Sequence, residues 1–252
     1  SRNKPLSPRQ SRRHRSRRPH RGSRWTCVTY NVLSTGSQGN AVVINGTILI
    51  DCGVPFKTLE PVVPNLKLVL LTHRHSDHFR PRTVAVLHKL RPCLRFGCCA
   101  WMVPLLQEAG VRARQIDLYD PGKAYRYPGL CCLRPEALTH NVPNCGYHLR
   151  DREGKWLFYA TDTGTLDGVT AKNYDFYLVE ANHTRAELEA RLRAKQEAGV
   201  YVYEWDVAQN HLSREQAEGW IYQNIGPTGQ YAFLHQHVEP RRGVHETESL
   251  CL

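Results

Sequence analysis

The sequence Leu71-Thr72-His73-Arg74-His75-Ser76-Asp77-His78 crowds three imidazoles and a carboxylate into six consecutive positions, 73–78. It closes the apolar run 66–71, which follows Pro64-Asn65 and predicts a short buried strand rather than a helix. The polar side chains at 73–78 are therefore expected to lie at the rigid edge of a sheet.

These four side chains are expected to face two different points. On an extended backbone His73 and His75 point to the same side, because side-chain direction repeats every two residues. Asp77 and His78 follow where the chain turns away. A histidine taken singly is usually a surface or hydrogen-bonded residue, but four such groups together are costly to bury without a cation among them. The pattern predicts a site for two metal ions.

The His-x-His-x-Asp-His pattern resembles that of the metallo-β-lactamase superfamily. The resemblance implies an α/β (α+β) fold, a four-layer αββα sandwich with the metals at one edge. It also implies further ligands from later loops, and candidates occur in the right order, each after an apolar segment. By carry-over from the family, one metal would be held by His73, His75 and His140 and the other by Asp77, His78 and His235, with Asp162 bridging them.

Two further segments have a role in this comparison. Asp51 ends the predicted strand Thr47–Ile50, and the resemblance implies that it supports a ligand histidine by a hydrogen bond, although it could equally be a turn carboxylate. The glycines of the loop Ser34–Asn40 permit a tight turn, whose backbone N–H groups either cradle an anion or only turn the chain.

His183 and His211 each lie just before a predicted helix. Thr184–Glu187 and Ser213–Gln216 are capping boxes, which predict helices that run to about Ala198 and from 214 to 224. A helix N-terminus favours anions, so either histidine could protonate a leaving oxygen or hold phosphate oxygens. The alternative for both is a purely structural role at the helix cap. Asp77, His211 and His183 are the candidate catalytic residues.

A narrower resemblance is to the YycJ/WalJ-like branch of the superfamily, including its phage-associated members, which is associated with exonuclease-like phosphodiesterase activity. The motifs that carry it are Gly36–Asn40, Asp162–Gly164, Glu180–His183 and His211–Ser213. The chain departs from the branch at 208–210, which lacks a glycine-rich lead-in, and at its last motif, where His235 and His237 compete for the final ligand position. No long insertion lies between Asp162 and His235 that could hold the extra domain of ribonuclease J, which disfavours a processive RNA-degrading enzyme of that kind.

Periodicity predicts the remaining elements only coarsely. The sequence predicts strands at 27–30, 41–44, 130–138, 156–160 and 174–179, and helices at 81–90 and 102–109.

The basic charge of the chain is concentrated at its start. Residues 1–24 hold nine arginines, one lysine and no acid, and subtracting these 10 from 34 basic residues leaves 24 against 23 acids. We predict a disordered Arg-rich tail over 1–24 and a metallo-β-lactamase-fold catalytic domain over 25–252. The tail would strengthen binding to nucleic acid in a salt-dependent way, or it is an incidental extension.

The chain has no apolar run near the roughly 20 residues that span a membrane, and none of its nine cysteines forms a Cys-x-x-Cys pair. With no export signal visible, we predict reduced thiols in a cytoplasmic protein that does not contact membranes. Nothing indicates an oligomeric state.

The ligand types predict a metal-dependent hydrolase that uses a hydroxide activated by two divalent metal ions, zinc first, with manganese or iron also suitable. The preferred function is a phosphodiesterase or exonuclease acting on nucleic acid. One alternative is hydrolysis of a small carbonyl substrate such as a lactam, lactone or thioester. The other is a nucleic-acid-binding accessory protein with a vestigial site.

Overall fold

The computed structural model describes residues 28–198 and 204–236 of the chain. The strands in these ranges are β1 (Tyr30–Ser34), β2 (Ala41–Ile44), β3 (Ile48–Ile50), β4 (Leu68–Leu70), β5 (Arg95–Cys99), β6 (Ile116–Tyr119), β7 (Tyr125–Tyr127), β8 (Cys131–Leu138), β9 (Asn144–Asp151), β10 (Trp156–Ala160), β11 (Phe176–Glu180) and β12 (Gln230–Leu234). The α-helices are α1 (Phe56–Leu59), α2 (Pro81–Leu90), α3 (Val103–Glu108), α4 (Arg185–Ala198), α5 (Glu204–Asn210) and α6 (Arg214–Asn224).

The strands form two six-stranded sheets, in the orders β1-β2-β3-β4-β5-β6 and β12-β11-β10-β9-β8-β7. From β3 to β6 each strand is parallel to its neighbour, and so are β10, β11 and β12. The carboxyl ends of β3 and β4 therefore lie at one edge of the first sheet, and those of β10, β11 and β12 at one edge of the second. In sheets of this kind, ligands bind outside the carboxyl ends of the strands.

The core has three apolar layers. Leu68 and Leu70 of β4 point between the sheets and join a cluster that includes Tyr159 and Leu178 of the second sheet. Val69 points the other way, into a cluster with helices α2 and α3. A third cluster packs the outer face of β10 and β11 against α6. The order helix, sheet, sheet, helix confirms the predicted αββα sandwich, and burial of β4 on both faces explains its unbroken apolar sequence.

Several predicted elements agree with the structure, including strands 41–44 and 156–160 and helices 81–90 and 214–224. Others are displaced or shorter. The strand predicted over 27–30 lies partly outside the described residues, and of its described part only Tyr30 is in β1. Pairing with β2 starts at Tyr30↔Ile44, while the N–H of Thr29 donates instead to the side chain of Asn45 at 2.9 Å. The predicted strand 66–71 is ordered as a strand only over 68–70, and the helix predicted over 102–109 spans 103–108.

Some predictions lie outside the described residues, namely the tail 1–24, its boundary at 24/25 and His237. Within 28–198 and 204–236, no helix combines the length and the apolar composition needed to cross a membrane.

Candidate metal centre

Loops at the carboxyl ends of the strands gather the predicted site residues. Three side chains form what we term the first cluster, with one ligand atom of each within 4.8 Å of the others: His73, His75 and His140. Four form the second cluster by the same measure: Asp77, His78, Asp162 and His235. All seven candidate metal ligands are thus brought together, although they are up to 162 positions apart in the chain (from 73 to 235).

Three of the strand ends that build this edge hold a non-glycine residue in the left-handed backbone region. Asp51 after β3 has φ +61°, Asp162 after β10 has φ +58° and His235 after β12 has φ +51°. This conformation turns the chain sharply out of the sheet, and it is uncommon for residues with a Cβ. Each of these residues is also buried.

In the first cluster, Nδ1 of His75 lies 3.1 Å from Nε2 of His73 and 3.3 Å from Nε2 of His140. His140 donates its Nδ1–H to the carbonyl of Asn210 at 3.1 Å, so its Nε2 lone pair faces the cluster. Burial lowers the pKa of all three imidazoles. They are therefore held in the neutral form, which is the form that binds a metal.

In the second cluster, Nε2 of His78 lies 2.8 Å from Oδ2 of Asp162 and 3.6 Å from Oδ2 of Asp77. Nε2 of His235 completes the group, 3.9 Å from Oδ2 of Asp77. Burial disfavours a charged imidazole, yet Asp162 and Asp51 together raise the pKa of His78 above its ordinary value. The carboxylates in and behind the second cluster thus favour positive charge there.

Asp162 provides a direct test of whether a metal fits. Its Oδ2 is buried and receives no well-directed hydrogen bond among the described residues. Its neighbour at 2.8 Å, Nε2 of His78, carries a lone pair rather than a proton in the neutral ring, because the Nδ1–H of that ring is donated to Asp51. A buried carboxylate oxygen left without a donor is costly. A divalent cation between Asp162 and the imidazoles would satisfy it, and a set rich in nitrogen with two carboxylates suits zinc, manganese or iron.

Asp51 has the contact that the sequence analysis expected of it. Its Oδ2 accepts the Nδ1–H of His78 at 2.6 Å, and its Oδ1 accepts the backbone N–H of Thr72 at 2.9 Å. The bond fixes the tautomer of His78 and aims its Nε2 at the second cluster.

Glu180 is a residue of the site that the sequence analysis did not assign. Its Oε1 accepts the backbone N–H groups of Thr163 at 2.6 Å and Leu212 at 3.2 Å. Its Oε2 accepts Nδ1–H of His211 at 3.0 Å and of His235 at 3.3 Å. Burial alone would raise the pKa of Glu180, but the bonds from the two histidines bring it below its ordinary value. With four donors its lone pairs are filled, so Glu180 orients the two imidazoles rather than binding a metal itself.

The sequence held one signal for a role of Glu180: it is an acid at the end of a buried strand, as Asp51 is.

The loop Ser34–Asn40 contributes a second residue that sequence reasoning missed. This residue is the buried Asn40, whose side chain lies against Asp77 and His78. The loop itself is a tight turn, as expected, closed by a hydrogen bond from the N–H of Gly39 to the carbonyl of Gly36 at 3.0 Å. Anion binding by this loop stays a prediction.

The two candidate catalytic histidines occupy different surroundings. The ring of His211 lies 5.5 Å from that of His140 and 5.2 Å from that of His235, so it borders both clusters. His183 belongs to neither cluster; its Nδ1 lies 3.4 Å from Oδ1 of Asn182, and its carbonyl accepts the N–H of Arg214 at 2.8 Å. Both predicted capping boxes are present, with reciprocal bonds at Thr184–Glu187 and Ser213–Gln216. A catalytic role for His183 stays a prediction.

Comparison with known proteins agrees with this architecture. Residues 46–223 match the family described as the beta-lactamase superfamily domain. The chain belongs to this superfamily. Its two sheets and flanking helices have the metallo-β-lactamase fold.

One relative is the exodeoxyribonuclease WalJ of Streptococcus pneumoniae, 25% identical over 88% of this chain and 86% of its own. Among solved structures, YhfI of Bacillus subtilis superposes with a TM-score of 0.62 at 13% identity, covering 83% of this chain and 87% of its own. The short form of human tRNase Z superposes with a TM-score of 0.62 at 14% identity, covering 82% of this chain and 92% of its own. At such identities the superpositions establish the fold alone.

Proposed function

We propose that this member of the superfamily is a metal-dependent phosphodiesterase that removes nucleotides from nucleic acid ends, in the manner of the YycJ/WalJ-like branch. The observation that carries the proposal is the pair of adjacent clusters, with Asp162 near both of them. The Asp162 side chain belongs to the second cluster, and its charge acts on all three histidines of the first. An association with phage stays a prediction.

The residues fit two divalent cations, zinc first, with manganese or iron as alternatives. His73, His75 and His140 would hold one, and Asp77, His78 and His235 the other, with Asp162 shared. When bound, such a pair lowers the pKa of a water toward neutrality and neutralises phosphate charge.

The chain's own residues complete the site around the reacting phosphate. Glu180 accepts Nδ1–H of His211, so that in the protonated ring Nε2–H is available to donate to a phosphate or leaving oxygen. Asp51 and Glu180 fix His78 and His235 from behind, so the second cluster is oriented before substrate arrives. The Asp77 side chain is 22% exposed, whereas the other three members of the same cluster are buried.

Three features support nucleic acid as the substrate. The relative WalJ is an exodeoxyribonuclease, and the match covers 86% of it. Arg74, which lies between His73 and His75 in the chain, is exposed, so its charge can meet a phosphate backbone. The ten basic residues of the tail 1–24 would add affinity that falls with salt.

The test is hydrolysis of 5′-labelled single- and double-stranded DNA and RNA by protein reconstituted with zinc or with manganese. Bis-p-nitrophenyl phosphate and a chromogenic cephalosporin are assayed beside them, and His75→Ala is the control. We expect stepwise nucleotide release that the control loses. Cephalosporin turnover alone would replace the proposal with small-carbonyl hydrolysis, and no metal-dependent turnover of any substrate would indicate a binding protein with a vestigial site.

A further inference from the structure

Asn40 ties the loop Ser34–Asn40 to the second cluster. Its side chain is buried, and its Oδ1 accepts the backbone N–H of Gly36 at 2.9 Å and the hydroxyl of Thr35 at 3.3 Å. Because the oxygen must face these donors, the orientation of the amide is determined by the network and the NH2 group points away from them.

The amide nitrogen of Asn40 lies against Asp77 and His78. Nδ2 is 3.3 Å from the carbonyl oxygen of Asp77, 3.5 Å from its Oδ2 and 2.8 Å from Nε2 of His78. The backbone N–H of Asn40 also donates to the carbonyl of Asp77, at 2.6 Å. Within the described residues, no hydrogen bond joins Asn40 to the three histidines of the first cluster.

The turn that carries Asp77 and His78 has little room to move on its other side. A Cβ added to Gly53 would lie 1.7 Å from the carbonyl oxygen of Asp77, and the N–H of Gly53 donates to the carbonyl of Asn40 at 3.0 Å. The N–H of Cys52 donates to the carbonyl of His78 at 2.8 Å. Backbone groups therefore fix the turn from behind, and the Asn40 side chain contacts Asp77 on the side of the second cluster.

We propose that Asn40 is a positioning residue of the second cluster. It holds Asp77, through the carbonyl and carboxylate oxygens of that residue, in the arrangement that binds one of the two cations, and it has no such effect on the first cluster. The inference rests on the proposed metal site and is independent of the proposed substrate. Loss of a group that orients metal ligands typically costs about 10- to 100-fold in metal affinity.

The experiment measures zinc bound per chain, and its affinity by competition with a chromogenic chelator, in the full-length protein. The variants are Asn40→Ala, and Asn40→Ser as a smaller change in case the first does not fold. The matched control is Asn224→Ala, which removes an equally buried asparagine that bonds Ala171 and Trp220 at the far end of α6. The unfolding midpoint of the metal-free proteins reports the packing cost that all three variants share.

We expect two zinc ions in the wild type and in Asn224→Ala, and in the Asn40 variants one tight ion and one bound about 10- to 100-fold more weakly. Placed in a His75→Ala background, which impairs the first cluster, Asn40→Ala should remove the remaining tight ion. Two ions at wild-type affinity in the Asn40 variants, or equal weakening of both, would overturn the inference. Fewer than two ions in the wild type would overturn the proposed metal site itself, a result visible without any variant.

Discussion

Oε2 of Glu180 lies 3.0 Å from Nδ1 of His211, and the same oxygen holds Nδ1 of His235 at 3.3 Å. One fully buried carboxylate thus orients an imidazole of the second cluster and an imidazole that borders both clusters. Because His235 and His211 come from different loops, Glu180 also sets the spacing between them.

Replacing Glu180 with glutamine should reduce DNA cleavage by about 10- to 100-fold, because an amide cannot accept from both imidazoles and both backbone N–H groups at once. The control is Glu187→Gln, an exposed change in which the amide can still serve the capping box at Thr184. Comparing kcat and zinc affinity of the two variants checks the prediction, and an unchanged kcat for Glu180→Gln would contradict it.

Asp162→Asn should weaken metal binding at both clusters, because the Asp162 charge acts on His73, His75 and His140 as well as on His78. Zinc content after dialysis is expected to fall below one ion per chain. Asp167→Asn, an exposed change in the same loop, should leave two. Retention of one full-affinity zinc by Asp162→Asn would show that the carboxylate serves only one cluster.

His211 and His183 form a matched pair, each one or two positions before a capping box. His211→Ala should lower kcat for DNA by about 100-fold or more, as expected for a lost proton donor, with two zinc ions retained. His183→Ala is expected to change unfolding stability and little else, since its described hydrogen bonds are with Asn182 and Arg214. A larger loss of kcat in His183→Ala than in His211→Ala would reverse the two assignments.

His148 predicts a pH dependence of stability that is separate from the metal site. Its Nε2 lies 3.1 Å from Oε2 of Glu136 and its Nδ1 lies 3.0 Å from the hydroxyl of Tyr174, which a neutral ring satisfies as donor and acceptor. Burial, and then Arg134, lower the pKa of His148 from 6.5 to about 3. The unfolded chain therefore takes up a proton between these values and the folded chain does not, so this contribution to stability is complete above pH 6.5 and is lost as the pH falls toward 3.

From pH 7 to pH 5 this single group should remove about 2 kcal/mol from the free energy of unfolding. His148→Gln keeps a donor and an acceptor but does not titrate. Between pH 7 and pH 5 the free energy of unfolding of this variant should therefore fall by about 2 kcal/mol less than that of the wild type. Urea unfolding of both proteins at the two pH values measures the difference. Parallel losses would mean that His148 is charged in the folded state.

The clustering of the candidate ligands was easiest to predict where they lie close together in the chain. His73, His75, Asp77 and His78 were recognisable because four ligand types adjoin a buried strand, and His140, Asp162 and His235 followed from the family resemblance. Glu180 and Asn40 could not be assigned in the same way. Their roles depend on donors and acceptors that only folding brings near, such as the N–H of Leu212 beside Glu180 and the Asp77 carboxylate beside Asn40.

Sequence reasoning missed strands β7 and β9 for a similar reason. β9 is buried over Asn144–Leu149 although it contains asparagine, glycine and histidine. Gly146 is needed there because a Cβ would lie 2.5 Å from the carbonyl oxygen of Tyr159 on the neighbouring strand. β7 is only three residues long and half-buried, so it presents almost no pattern. In both cases the strand is specified by its partner strands rather than by its own periodicity.

The left-handed conformations of Asp51, Asp162 and His235 place the function of this protein in competition with its thermal stability. Strained conformations of this kind cost about 1–3 kcal/mol each, and glycine would relieve them. Selection for heat resistance alone, with no requirement for turnover, should therefore accumulate glycine at these three positions. A survivor of such a selection would melt at a higher temperature than its parent and would have lost two proposed metal ligands, Asp162 and His235, and the carboxylate that orients His78.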